Sequence, residues 1–221
     1  GILEIYATPS LPNKLDGTPQ PGSVVRYTPA LDEGRTVVAD LGDRHAKEIL
    51  VADVDGNGTD ELYVANEAVA GEGRLEVLRY DADTPADAGV VVATIDDAMG
   101  RFLTAGDIDG DGRQEMALAA NKSGLWLLEP GVDPSAQWTV NSIDRASSGF
   151  EHAAILTDLD EDGTDELYVA NDDAGEVNRY VFTDGRFDKE VLYTHEDGLS
   201  GFTWNIMPVP VDLVEGLVAT E

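Results

Sequence analysis

Asp53, Asp55 and Asn57 stand at alternate positions of a nine-residue loop that has Gly58 sixth and closes on Glu61. Two further loops repeat the arrangement, with Asp107, Asp109, Asp111 and Glu115, and then Asp158, Asp160, Asp162 and Glu166. Oxygens at the first, third and fifth positions of a tight loop converge on one point. The glycine allows the sharp turn, and a seventh-position carbonyl, from Thr59, Arg113 or Thr164, can face inward. Such an all-oxygen shell suits Ca²⁺, which takes about six to eight oxygens in irregular geometry, better than Mg²⁺, which demands a regular octahedron. These loops are not EF-hands, which close on a glutamate further along and sit between helices. Here a short apolar segment of β type follows at once: Leu62–Asn66, Met116–Ala120 and Leu167–Asn171. Asp, Asn and Gly are also ordinary turn residues, so one such loop would read equally well as a solvated turn. Three copies in register favour a metal in each, about three Ca²⁺ in all.

The elements that must position these loops repeat with them. The closing glutamates lie 54 and then 51 residues apart. A fourth copy, Met207–Glu215, keeps the nine-residue length but carries Met207, Val209 and Val211 at the ligand positions, so no metal is expected there. Gly216–Thr220 follows it as the matching strand, and Ile2–Ala7 reads as the same strand without its loop. Each interval holds further apolar segments. One leads into each loop (48–52, 102–105 and 153–157), one ends in Arg-Tyr or its counterpart (22–27, 74–80, 124–128 and 175–180), and one follows (36–40, 90–95, 138–143 and 189–193). Gly, Asp and Pro turns separate them, and no long stretch of helical periodicity appears. Four strands per repeat of about 50 residues predict an all-β fold, a β-propeller of about four four-stranded blades. Residues 1–221 are read as a single domain of four repeats with overlapping ends, the strand 203–211 completing the first blade; a segment of a longer propeller is the alternative. Runs such as Val90-Val91-Val92 suit strands covered on both faces.

The loop Asp-x-Asp-x-Asp/Asn-Gly-x-x-Glu, preceded by an apolar strand and followed by Leu-Tyr-Val-Ala-Asn, resembles the FG-GAP/VCBS repeat of integrin α-subunit propellers and many bacterial extracellular proteins. The resemblance covers essentially the whole chain. It implies a propeller with Ca²⁺ in the hairpin between the first two strands of a blade. Two departures stand against it: the Phe-Gly pair is not clean, although Gly149-Phe150 and Gly201-Phe202 lie nearby, and the chain holds material for four blades where the family often has seven or eight.

Charge narrows the partners. Forty-four acidic residues against 14 basic give −30, of which three Ca²⁺ would offset six. That balance disfavours nucleic acid or an anionic membrane. No run approaches the length of a membrane-spanning helix, so no membrane insertion is expected, and without cysteines the redox compartment cannot be read. A secreted or cell-surface location follows from the resemblance and from the calcium available outside cells. The Pro/Gly-rich stretch 9–22 reads as a loop within the first blade.

Little in the chain points to catalysis. His45, His152 and His195 do not stand at metal-ligand spacing, and there is no nucleophile elbow, cysteine nucleophile or phosphate-cradling glycine loop. No catalytic residue is assigned. The expected role is a calcium-stabilised extracellular interaction or adhesion module without catalytic activity, its partner a protein or a glycan. The alternative is a carbohydrate-active propeller, a lectin-like domain or a polysaccharide lyase, in which His152 would be the candidate base. Trp126 reads as core, and Trp204 beside Phe202 is the best exposed aromatic. The Arg-Tyr pairs Arg26-Tyr27, Arg79-Tyr80 and Arg179-Tyr180 read as structural.

Overall fold

A computed structural model describes residues 2–9, 18, 21–69, 73–147, 151–195, 203 and 205–209. Their strands form four antiparallel sheets in chain order. The first holds β1 (Ile5–Ala7), β2 (Ser23–Thr28) and β3 (Glu33–Asp40). The second holds β4 (Ala46–Ala52), β5 (Glu61–Asn66), β6 (Leu75–Tyr80) and β7 (Val90–Ile95). β8 (Gly100–Gly106), β9 (Glu115–Ala120), β10 (Gly124–Glu129) and β11 (Thr139–Asp144) make the third. The fourth runs β12 (Glu151–Thr157), β13 (Glu166–Asn171), β14 (Glu176–Thr183) and β15 (Arg186–Thr194). Every strand pairs with its neighbour in sequence, as in a propeller blade. The one helical element among the described residues is a 3₁₀ turn, Pro29–Leu31.

The blades stack face to face, and the alternation of side chains along the second strand of each shows how. Tyr63 and Ala65 point from β5 into a cluster with Met116, Leu118 and Ala120 of β9 and with Trp138. Leu62 and Val64, on the opposite face of β5, pack with Val24 and Ala39 of the first sheet and with Leu41 just after it. Ala117 and Ala119, on the other face of β9, meet Leu156, Leu167 and Val169 of the fourth. All six residues of β5, of β9 and of β13 are buried. A strand covered on both faces has no polar side, which is why these segments read as unbroken apolar runs. The first strands sit side by side, β8 lying between β4 and β12. Backbone bonds tie each blade to the next: Asp40 N–H to Ala86 O, Trp138 N–H to Val92 O and Asp165 N–H to Asp107 O.

The first sheet departs from the expected four strands and has three. Thr203 and Asn205–Val209 lie in no strand, and 210–221 fall outside the described residues, as do most of the fourth loop copy, Gly149-Phe150, Phe202, Trp204 and residues 10–17 and 19–20 of the 9–22 insertion. The described residues do not close a ring.

Two glycines illustrate what the hairpins need. Asp184-Gly185 joins β14 to β15 with φ of 51° and 81°, a two-residue turn with positive φ at both positions, and a Cβ on Gly185 would meet nothing within 4 Å. Gly124, at the start of β10, has φ +89°, and a Cβ there would lie 2.1 Å from the Asp144 carbonyl oxygen. Gly124→Ala therefore combines left-handed strain with a clash against backbone, at a cost of about 2–3 kcal/mol, or roughly 5–10 °C in Tm. Gly185→Ala carries only the strain, about 1 kcal/mol. Thermal melts of the two variants side by side check the ranking, and equal losses would contradict it.

Candidate metal centre

Each of the three acidic loops joins the first and second strands of its blade, from β4 to β5, from β8 to β9 and from β12 to β13. The loops fold alike because the same side chains cap the same amides. The first aspartate accepts the N–H of the sixth-position glycine: Gly58 to Asp53 at 2.8 Å, Gly112 to Asp107 at 2.9 Å and Gly163 to Asp158 at 2.9 Å. The fifth residue accepts the seventh N–H, from Thr59 to Asn57 at 2.8 Å, Arg113 to Asp111 at 2.9 Å and Thr164 to Asp162 at 2.9 Å. Asp and Asn form such turns by bonding the backbone two residues on. The closing glutamates then open the second strands, where Glu61, Glu115 and Glu166 are all buried.

Carboxylate oxygens converge in each loop. Asp53, Asp55 and Glu61 bring one oxygen each within 4.8 Å of one another. Asp107, Asp109 and Glu115 do the same, as do Asp158, Asp160, Asp162 and Glu166. All the donors are oxygen, so the donor set fits a hard divalent cation and not a soft one.

Not every predicted ligand joins its cluster. Asp111 stands outside the second, because its Oδ2 accepts from Arg113 Nε at 3.1 Å and Nη2 at 3.0 Å. That bonding holds the Asp111 carboxyl below the usual aspartate range. Asn57 turns its amide nitrogen to Glu61 Oε1 at 3.2 Å. The Thr59, Arg113 and Thr164 carbonyls belong to the same three turns.

The environments of the closing glutamates differ. Burial pushes Glu115 up to about 7; the Ile108 N–H opposes the shift, while Asp109, Asp111 and Asp107 add to it. Burial also raises Glu61, against a hydrogen bond from Tyr63 Oη to Glu61 Oε2 at 3.1 Å. Tyr168 Oη donates in the same way to Glu166 Oε2 at 2.9 Å, and burial with that bond pushes the tyrosine up to about 12.

Sequence reasoning missed two residues. Arg79 and Arg179, read as structural members of Arg-Tyr pairs, reach into the first and third clusters. Arg79 Nη2 lies 2.7 Å from Asp55 Oδ2 and 3.6 Å from Glu61 Oε1. Arg179 Nη2 bonds Asp160 and lies 2.9 Å from Glu166 Oε1. The signal was present in the register, since Arg79 faces Tyr63 and Arg179 faces Tyr168 across their hairpins. Arg26, in the first sheet, pairs with Glu4 instead.

The other residues singled out from sequence lie away from these clusters. Trp126 is core, as expected, with its Nε1 donating to Ser123 Oγ, and Trp138 packs on Tyr63 at 5.6 Å between ring centroids. His195 stacks edge-on with Tyr193. The side chain of His152 lies outside the described residues.

No curated protein matches this chain. Residues 53–118, from the first aspartate of the first loop through the second loop and into β9, match the family model described as an FG-GAP-like repeat. Over residues 53–118 the acidic strand-to-strand loop, its buried closing glutamate and the strands that follow are thus similar to the FG-GAP-like repeat.

Proposed function

We propose that this protein is a calcium-stapled β-propeller that works outside the cell as an interaction module and performs no catalysis. The observation that carries this reading is the same carboxylate cluster set at the same strand-to-strand turn of three successive blades. The proposed ligands are Asp53, Asp55, Asn57, Glu61 and the Thr59 carbonyl; Asp107, Asp109, Glu115 and the Arg113 carbonyl, with Asp111 after release from Arg113; and Asp158, Asp160, Asp162, Glu166 and the Thr164 carbonyl. A bound Ca²⁺ supplies positive charge where buried carboxylates otherwise repel one another. Extracellular calcium is abundant enough to fill sites of modest affinity. The family match supports an interaction role, because the repeat builds a rigid frame with loops at its two ends. Among the described residues no helix is long and apolar enough to cross a membrane.

Trp126 and Trp138 are buried, so neither offers a ring face to a sugar, and the partner is a protein or a glycan. A panel of glycans and acidic polysaccharides, screened with calcium and again with EDTA while products are followed, tests the reading. The expected result is no cleavage under either condition. Cleavage would overturn the non-catalytic assignment, and calcium-dependent sugar binding would move the partner class to glycans.

A further inference from the structure

The three loops share a backbone but not a charge balance. Across β5 and β6, Tyr63 faces Arg79; across β13 and β14, Tyr168 faces Arg179; across β9 and β10, the same positions hold Ala117 and Leu127. In the first and third blades a tyrosine hydroxyl holds one oxygen of the closing glutamate while a guanidinium approaches the other. The guanidinium also takes the third-position aspartate, Asp55 or Asp160. In the second blade, apolar Leu127 and Ala117 sit in their place. The one arginine of that loop, Arg113, lies 58% exposed on Asp111, outside the converged carboxylates. Arg79, by contrast, is 4% exposed, with its partner Glu61 buried and Asp55 half-buried, while a third carboxylate, Asp81, holds it from the exposed side.

Resting on the calcium reading, we propose that Arg79 and Arg179 are tethered counter-ions that share ligand carboxylates with the metal. Loops one and three then exchange a guanidinium for calcium, whereas loop two has no cation within its converged carboxylates, Arg113 holding only Asp111 outside them. Two consequences are tied together. Metal-free, loops one and three are already neutralised in part, and loop two is the weak point of the frame. With calcium, loop two binds first and most tightly: its Arg113 is exposed on Asp111, outside the converged carboxylates, whereas an ion entering the other loops must displace a guanidinium from the converged carboxylates themselves and then sit beside its charge. Arg79 and Arg179 are thus specificity-determining residues, setting the order in which blades fill.

Calcium titrations of the full chain by calorimetry, paired with melts in EDTA, test this. The variants are Arg79→Leu and Arg179→Leu, which install the side chain the second blade carries at that register, and Asp109→Ala. Each Arg→Leu change should tighten one of the weaker ions about tenfold while lowering the metal-free Tm. Asp109→Ala should remove the tightest ion and leave the weaker ones. If buried Arg79 proves indispensable for folding, Arg179, at 21% exposure, gives the same readout from the third blade. An Arg→Leu variant that binds calcium equally or more weakly would overturn the proposal, as would loss of a weak ion in Asp109→Ala. A wild-type chain that binds no calcium at all would instead defeat the calcium reading itself.

Discussion

On the calcium reading proposed above, chelation is expected to lower the melting temperature of this protein by roughly 15–30 °C relative to saturating calcium. A ligand that binds only the folded state stabilises it by about 2.7 kcal/mol at a hundredfold excess over Kd, so three filled loops contribute about 8 kcal/mol. For a domain of this size each kcal/mol moves Tm by roughly 2–4 °C. The effect is large for a structural reason. The loops join first strands, which pack beside one another, to second strands, which are buried on both faces. Loosening a loop frees the strand junction on which neighbouring blades rest. Scanning calorimetry in millimolar calcium and in EDTA measures the shift, which should also grow with calcium concentration. Superimposable melts would eliminate calcium as a staple.

The second large effect is a dependence on pH confined to the metal-free protein. Glu115 has its carboxyl raised from 4.5 to about 7 by burial, with the neighbouring aspartates adding to it. The folded state therefore holds a proton between those values that the unfolded chain has already released. Stability falls wherever the folded state binds more protons, so it declines as pH rises from about 4.5 and levels off above about 7. The total loss is about 3 kcal/mol, since each unit of displacement corresponds to about 1.4 kcal/mol. Glu61, raised in the same direction by burial, adds to the decline. Bound calcium favours the ionised carboxylate, so binding near pH 6 should expel a proton. Titrations in buffers of different ionisation enthalpy should then give different apparent enthalpies. Glu115→Gln flattens the metal-free slope and at the same time weakens the response to calcium. A metal-free stability that rises from pH 5 to 7 would refute the assignment.

Much of this architecture was legible in the chain because the repeat declares itself at both levels. Strand positions followed from the spacing of the loops, and the closing glutamates begin β5, β9 and β13, one residue ahead of the apolar segments read from sequence. What sequence hid was decided across strands. Arg79 lies 24 residues from Asp55 and touches it because β5 and β6 pair in one register. Alternation gave no hint, because Arg79 and Tyr80 are both buried on a strand with no exposed side. Asp111 looked like its counterpart Asp162, yet the adjacent Arg113 draws its carboxylate outward, where the third loop has Thr164 bonding Asp162 at 2.6 Å. A ligand pattern fixes which oxygens are available, but nearby cations decide where they point.

The loops of the third and fourth sheets are joined in a way the first is not. Asp165 N–H donates to Asp107 O, and Asp107 N–H returns a bond to Asp165 Oδ2, each at 2.7 Å. Gly106 makes room for that carboxylate, since a Cβ there would stand 2.5 Å from Asp165 Oδ2. Gln114 occupies the place of Asp165 in the second loop, and its buried Oε1 has no hydrogen-bond partner. Neither latched turn can open to solvent without breaking both bonds. Hydrogen exchange should therefore release the Asp107 and Asp165 amides together, as one event spanning two blades, while the turn at Asp53 breathes on its own clock.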